Sequence, residues 1–220
     1  VIGSYLLGHA LAIGSSAIIE AFTNYSNGYP SEFLFDVEPK PYLSSDSFRG
    51  NLGRGVLWVL ILPISLLKTI LKDRCNIKMF NQAKSLPKPL RDATFDKCTR
   101  ILKNNIGVDT SSMNIEKGID GDYLRLLYHF IFENSERHSV KLQNYVALYG
   151  LTRNVSFVFI LLFWSAFYSC VFVEGSTIGW SHVFAFGGLA YIFYIGFVKF
   201  YRRYSLEAVM AATVYSSKDG

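Results

Sequence analysis

The sequence predicts an all-α, polytopic membrane protein with about four transmembrane helices and a small helical cytoplasmic domain between the second and third. Two apolar stretches carry this prediction: no Lys, Arg, Asp or Glu lies between Arg153 and Glu174, or between Glu174 and Lys199. A helix rises about 1.5 Å per residue, so about 20 apolar residues cross a hydrocarbon core of about 30 Å. Half of the 220 residues are hydrophobic, which fits a chain that is partly embedded in lipid and partly soluble.

Residues 1–22 form the first predicted transmembrane helix, in which Glu20 is the one formally charged side chain. Small residues recur there at every fourth position and therefore share one helix face: Ser4, Gly8, Ala12 and Ser16. Small residues allow helix backbones to approach closely in lipid. We expect this face to pack against another helix, either within a bundle or in an oligomer.

His9 lies in the same predicted span and is a possible intramembrane polar site. Ionisable groups inside a membrane are functional candidates, because placing them in hydrocarbon is costly. Three roles remain open for His9: a proton or ligand site, a hydrogen bond between helices, or a structural position near the membrane interface.

Residues 23–53 are predicted to form an extracytoplasmic loop that is polar and rich in turn-forming residues, and the stretch from Glu20 to Arg54 carries a net charge of −2. Residues 54–71 follow as the second predicted membrane segment, which Pro63 interrupts. Proline is tolerated in membrane helices when neighbours bond the freed backbone groups, so a kinked spanning helix is the preferred prediction. A re-entrant or interfacial helix is the alternative, because the apolar run is short.

Residues 72–153 are predicted to form a basic, helical cytoplasmic domain. The stretch from Lys68 to Lys103 carries a net charge of +7. Two later stretches show apolar residues at helical spacing, which indicates amphipathic helices that need partners: Leu124, Leu127, Tyr128 and Ile131 in one, and Leu142, Tyr145, Val146 and Tyr149 in the other.

Residues 154–173 and 183–200 are the third and fourth predicted transmembrane helices, joined by a short extracytoplasmic turn at residues 174–182. Residues 201–220 form a cytoplasmic tail. Basic residues concentrate on the cytoplasmic side of membrane proteins, which places the +7 stretch and the cations at the ends of these helices inside. Four spans then put both termini in the cytoplasm.

Catalytic and metal-binding motifs are missing from the sequence. No P-loop, GxGxxG, GxSxG or HExxH pattern occurs, and these are the spacings that phosphate, dinucleotide, acyl-transfer and zinc chemistry require. Arg125 and His129 are too close in sequence for the arginine–histidine spacing of helical nuclease domains. We therefore predict no enzymatic activity, no catalytic residue, no cofactor and no metal.

Basic residues outside the spans are the candidate contacts for a cytoplasmic protein partner or for anionic lipid: Lys84, Lys88, Arg91, Arg153, Arg202 and Arg203. Nucleic acid is a further possible partner of such a surface. The plainer interpretation is that these cations only fix the orientation of the chain in the bilayer.

Three short stretches resemble an uncharacterised group of bacterial multi-pass membrane proteins of the kind found in antiphage defence modules. They are Tyr5-Leu-Leu-Gly8-His9 with Ser15 and Glu20, then Gly28-Tyr-Pro-Ser31, and finally Tyr149-Gly-Leu-Thr-Arg153-Asn154. The resemblance implies a bacterial inner (plasma) membrane and a separate cytoplasmic partner. It marks Gly8, His9 and Arg153.

The expected function is that of a non-enzymatic, oligomeric inner-membrane protein. It would be a membrane-embedded sensor, anchor or effector subunit that works with a cytoplasmic partner. An ion channel or transporter subunit with His9 near the pathway is the alternative, followed by a lipid-modifying membrane enzyme.

Overall fold

A computed structural model describes residues 2–37, 41–44, 47–71 and 85–215, except for the side chain of Phe33. These residues form helices joined by turns and loops and include no strand, which confirms the all-α prediction. They divide into two compact units. The first unit comprises Val1–Ser26, Pro41–Phe80 and Tyr149–Val198, and the second unit comprises Asn27–Lys40, Asn81–Leu148 and Lys199–Gly220.

The first unit begins with three helical segments in direct succession. Helix α1 (Ile2–Ser15) continues into a π-helical turn (Ser16–Glu20) and then into α2 (Ala21–Asn27). The run from Ile2 to Glu32 is long and apolar enough to cross a membrane, because Glu20 is the first charged residue of the chain.

The second membrane segment is a pair of short helices that meet at a 91° bend. Helix α4 (Phe48–Leu60) and α5 (Leu62–Thr69) are separated by the single residue Ile61, and Pro63 lies in the first turn of α5. Proline has no N–H to donate and would disrupt a helix interior, but it is well tolerated in a first turn. Pro63 therefore explains why the helix breaks here instead of running straight through.

Two long helices complete the first unit. Helices α8 (Glu136–Phe172) and α9 (Trp180–Val214) are joined by a turn in which Gly175 adopts a positive φ of 73°. They run antiparallel, since Ser156 Oγ donates to the Ala190 carbonyl at 2.8 Å and the Tyr149 and Phe197 rings lie 6.3 Å apart. Each helix also contributes residues to the second unit.

Three helices among the described residues are thus long and apolar enough to span a membrane: Ile2–Glu32, α8 and α9. The α4–α5 pair adds a fourth span only if its two bent parts are counted as one. A helical membrane protein is supported, whereas the predicted count of four spans is not confirmed.

The second unit has its own hydrophobic core. It contains α3 (Pro30–Leu34), α6 (Lys88–Asn104), a short 3₁₀ helix (Ile115–Lys117), α7 (Gly121–Asn134) and the adjoining parts of α8 and α9. The core is filled from all of these α-helices: Leu34, Phe35, Phe95, Cys98, Ile101, Leu102, Leu124, Leu127, Ile131, Leu142, Ala208 and Val209. The predicted amphipathic stripe at Leu124, Leu127 and Ile131 is buried here as expected.

Helix α3 gives the main departure from the predicted domain arrangement. It lies in the segment assigned to an extracytoplasmic loop, yet Leu34 and Phe35 are fully buried with the helices assigned to the cytoplasm. The Leu86 N–H donates to the Leu34 carbonyl at 2.9 Å, and the Phe35 ring packs against Phe95 at 5.8 Å. One compact core cannot lie on both sides of a bilayer, so those two assignments are incompatible with each other.

Candidate functional site: an ion pair at the π-helical turn

Glu20 and Arg153 form an ion pair inside the first unit. Glu20 closes the π-helical turn after α1, and Arg153 lies on α8, 133 residues later in the sequence. Arg153 Nη1 donates to Glu20 Oε2, and the two side chains are 13% and 25% exposed, respectively. Charged side chains this well covered are strongly stabilised by each other, because either one left alone would pay its desolvation cost without compensation.

Serine side chains form further hydrogen bonds with both the guanidinium of Arg153 and the carboxylate of Glu20. Arg153 Nε donates to Ser15 Oγ at 3.1 Å, and Ser15 Oγ lies 2.6 Å from Asn154 Oδ1. Ser16 Oγ donates to Glu20 Oε2 at 3.0 Å. Ser15 is fully buried, so the cluster holds four polar side chains around one carboxylate in mostly apolar surroundings.

The π-helical turn has a local role in building the cluster. Such turns are wider than an α-helical turn, leave backbone groups available and are frequent at functional sites. The Ala12 carbonyl, one turn earlier, lies 3.0 Å from Ser15 Oγ and 3.4 Å from Arg153 Nη2. The arginine therefore contacts both the carboxylate and the backbone of the first span.

A second polar group lies along α2 in the same unit. The Arg54 guanidinium stacks on the Tyr25 ring at 4.5 Å, and its Nη1 donates to the Tyr42 carbonyl at 2.7 Å. Lys68 Nζ donates to Ser26 Oγ at 2.9 Å. Burial raises the pKa of Tyr42 to about 12 despite the opposing charge of Arg54, and the Tyr42 hydroxyl donates to the Arg54 carbonyl at 2.9 Å.

The predicted small-residue face of α1 is mostly left uncovered by the residues that the structure describes. Ser4, Gly8 and His9 are exposed, and a Cβ added at Gly8 would meet no atom within 4 Å. The His9 ring packs edge-on against Tyr5 at 4.4 Å. Ala12 and Ser16 are partly buried, and Ser16 belongs to the ion-pair cluster.

The predicted basic contact residues have different surroundings. Lys84 lies outside the described residues, whereas Lys88 and Arg203 are exposed. Arg202 is partly buried. Arg91 lies near the carboxylates of Asp36 (3.9 Å) and Asp92 (3.4 Å). Arg153 does not face an open surface, since its side chain is occupied by Glu20 and Ser15.

Sequence reasoning missed the ion pair, although a signal was present. From the sequence alone, Glu20 is the one charge of the first span and Arg153 is a candidate contact for a partner or anionic lipid, and the two are not predicted to pair. Each is a single charge at the edge of a long uncharged stretch. Opposite charges at the edges of apolar helices lower each other's desolvation cost when they pair. This rule would have predicted an ion pair between Glu20 and Arg153.

Comparisons with known proteins give no relative from which a role for this site could be proposed. No protein-family model, curated protein or solved structure matches this chain. Among the described residues, no group of three or more His, Cys, Asp or Glu side chains is placed to hold a metal ion. The fold and the site define a helical membrane protein with a polar cluster that ties its first span to its long hairpin.

Proposed function

We propose that the protein is a non-enzymatic subunit of a membrane assembly, built from copies of this chain that meet through α1. It would act as a membrane-embedded sensor, anchor or effector that works with a cytoplasmic protein. The observation that carries the proposal is the exposure of α1. Only 11% of the apolar 18-residue stretch of this span is buried within the chain, against 28% in α8 and 33% in α9.

The exposed part of α1 has the composition of a helix interface. Its open face carries Gly8, where another backbone can approach closely, and it is flanked by the imidazole of His9. A histidine facing hydrocarbon is costly, and that cost falls when a second helix supplies a polar partner. The ion pair at the other end of α1 holds this helix to α8, so the open face is presented by an anchored helix.

Disulfide cross-linking in native membranes tests the assembly. In a background without the natural cysteines, Gly8→Cys should give cross-linked dimers upon mild oxidation, because the thiols of two copies would meet across the interface. Leu6→Cys is the matched control, since Leu6 is also exposed but lies on the opposite side of α1. Equal cross-linking at both positions, or none at Gly8→Cys, would contradict the proposal.

The proposed location is the inner membrane of a bacterium, with the second unit in the cytoplasm. The +7 stretch supports this orientation, because such basic segments stay on the cytoplasmic side. Lys88 lies at the exposed start of α6 and is a candidate contact for the partner. Co-purification with the product of a neighbouring gene should be weakened by Lys88→Glu and unaffected by Lys117→Glu, a control at another exposed lysine of the same unit.

A channel or transporter subunit is the second candidate, and the bent α4–α5 pair favours it. Broken helices at membrane depth are characteristic of channels and transporters, where the freed backbone faces a cavity or other protein. The purified protein in liposomes should then conduct ions, and Gly8→Leu or His9→Ala should change the flux if α1 lines the path. Absence of flux above that of empty liposomes would remove this candidate.

A further inference from the structure

We infer that α4 and α5 form a re-entrant segment, which enters and leaves the bilayer on the side that holds the second unit. The described residues then cross the membrane three times, through the first span, α8 and α9. This inference rests on the protein being embedded in a membrane. It does not depend on the oligomer or on the cytoplasmic partner proposed above.

The first argument is the shared core of the second unit. Helices α3 and α6 flank the bent pair in sequence, and their residues Leu34, Phe35, Phe95 and Leu102 belong to one hydrophobic core. That core lies on one side of the bilayer, because a compact unit cannot straddle it. The chain between α3 and α6 must therefore cross the membrane an even number of times.

The second argument is length, which excludes two crossings by the residues that the structure describes between α3 and α6. Helix α4 has 13 residues and α5 has 8, which correspond to about 20 Å and about 12 Å. Neither reaches across a hydrocarbon core of about 30 Å. Because the number of crossings between α3 and α6 must be even and two are excluded, the bent pair does not cross the bilayer.

The third argument comes from contacts on either side of the bend. Arg54, in the middle of α4 and six residues before Leu60, stacks on Tyr25. Lys68, near the end of α5 and six residues after Leu62, donates to Ser26 Oγ. Tyr25 and Ser26 are neighbours on α2, so both arms reach the same level of the first unit at equal distances from the bend. A helix that spans the bilayer would place its two ends on opposite faces.

The fourth argument locates the bend itself near the middle of the bilayer. Trp164 Nε1 donates to the Leu60 carbonyl at 2.8 Å, and Pro63 Cβ lies 3.4 Å from the position of a Cβ added at Gly187. Trp164 lies near the middle of the uncharged stretch of α8 between Arg153 and Glu174, eleven residues from the first and ten from the second. Each half of this stretch is about 15 Å long, which is half of a hydrocarbon core of about 30 Å, so the segment penetrates the bilayer and does not lie on its surface.

Side chains also satisfy the backbone groups that the bend frees. The Leu60 carbonyl is bonded by Trp164, and Ser65 Oγ donates to the Trp58 carbonyl at 3.0 Å. Irregular backbone at membrane depth persists only where protein supplies such partners. The bend thus meets the requirement for a re-entrant apex.

The distribution of charge agrees with three crossings better than with four. All 22 Lys and Arg residues lie in two ranges, 40–153 and 199–220. Three crossings put both ranges on one side, so every cation of this chain is cytoplasmic or at that interface, as basic residues prefer. Four crossings would place Lys40 and Arg49 on the outer side.

Labelling of single cysteines with a membrane-impermeant maleimide tests the inferred topology. In spheroplasts that express a cysteine-free background, Thr177→Cys in the α8–α9 turn should be labelled from outside. Ser44→Cys, before the bent pair, and Ser112→Cys, after it, should be labelled only after permeabilisation. These three positions are exposed in the structure. Labelling of Ser44→Cys but not of Ser112→Cys in intact spheroplasts would overturn the re-entrant topology, whereas labelling of both would reverse only the proposed orientation.

A disulfide test separates a re-entrant segment from a helix lying on the membrane surface. Pro63→Cys combined with Gly187→Cys should cross-link, because the Cβ atoms would lie 3.4 Å apart, close to the usual disulfide spacing. Pro63→Cys with Gly188→Cys is the control, since a Cβ at Gly188 meets no atom within 4 Å. Failure of the first pair to cross-link, with wild-type membrane insertion, would overturn the placement of the apex.

Discussion

At the scale of single residues, Arg153 depends on the partner that the fold provides. Its guanidinium bonds Glu20 Oε2 and Ser15 Oγ, and both lie on the first span. Removing one member of a well-covered ion pair leaves the other charge without compensation. Removing both avoids that penalty.

A double-mutant cycle should show this coupling. We expect Glu20→Ala and Arg153→Ala each to destabilise the protein by about 3 kcal/mol, and the double variant to lose clearly less than the sum of the two. Thermal unfolding in detergent measures the three effects, with Glu174→Ala in the exposed turn as the control. Additive losses would show that the pair contributes nothing as a pair.

Cys98 gives a prediction about pH and thiol reactivity. It is fully buried in the core of the second unit, and this burial raises its pKa from 9.0 to about 12. We expect Cys98 to resist alkylation at pH 8 in the folded protein and to react after denaturation. Because the folded pKa lies above the unfolded value, the neutral thiol stabilises the fold below pH 9, and this contribution is lost as the pH rises toward 12. Rapid alkylation in the native state would contradict the burial of Cys98.

At the scale of helices, the sequence predicted the elements whose signal is local. The α8–α9 hairpin follows from two long uncharged runs, and α7 follows from apolar residues at helical spacing. The break at Pro63 was also visible, but its consequence depends on Trp164, about 100 residues away. Helix α3 could not be predicted as part of a core, because five residues in a polar, turn-rich segment resemble a solvent-exposed loop.

Trp164→Phe tests whether α8 supports the bend between α4 and α5. The substitution keeps the aromatic ring but leaves the Leu60 carbonyl without its donor, which should cost about 1–3 kcal/mol in apolar surroundings. Thermal unfolding in detergent should show this loss, and cross-linking of Pro63→Cys with Gly187→Cys should fall in the same background. Trp180→Phe is the control, because Trp180 is exposed at the start of α9; equal stability of the two variants would rule out the proposed support.

At the scale of the whole molecule, the sequence marks Glu20 and Arg153 as single charges at the edges of long uncharged stretches, but only the fold shows that these two residues, 133 positions apart, form a pair. Charge counting predicted the side of the basic stretch, but it did not predict that residues 30–37 share that stretch's core. The proposed assembly through α1 and the inferred re-entrant segment both require that Ile2–Glu32, α8 and α9 lie in hydrocarbon.

Extraction of membranes at alkaline pH tests that requirement most directly. Helices held in hydrocarbon keep their polypeptide in the membrane after carbonate washing, because leaving would expose their apolar faces to water. We expect the intact chain in the pellet after carbonate and in solution only after detergent is added. Recovery of the folded chain in the carbonate supernatant would contradict the account.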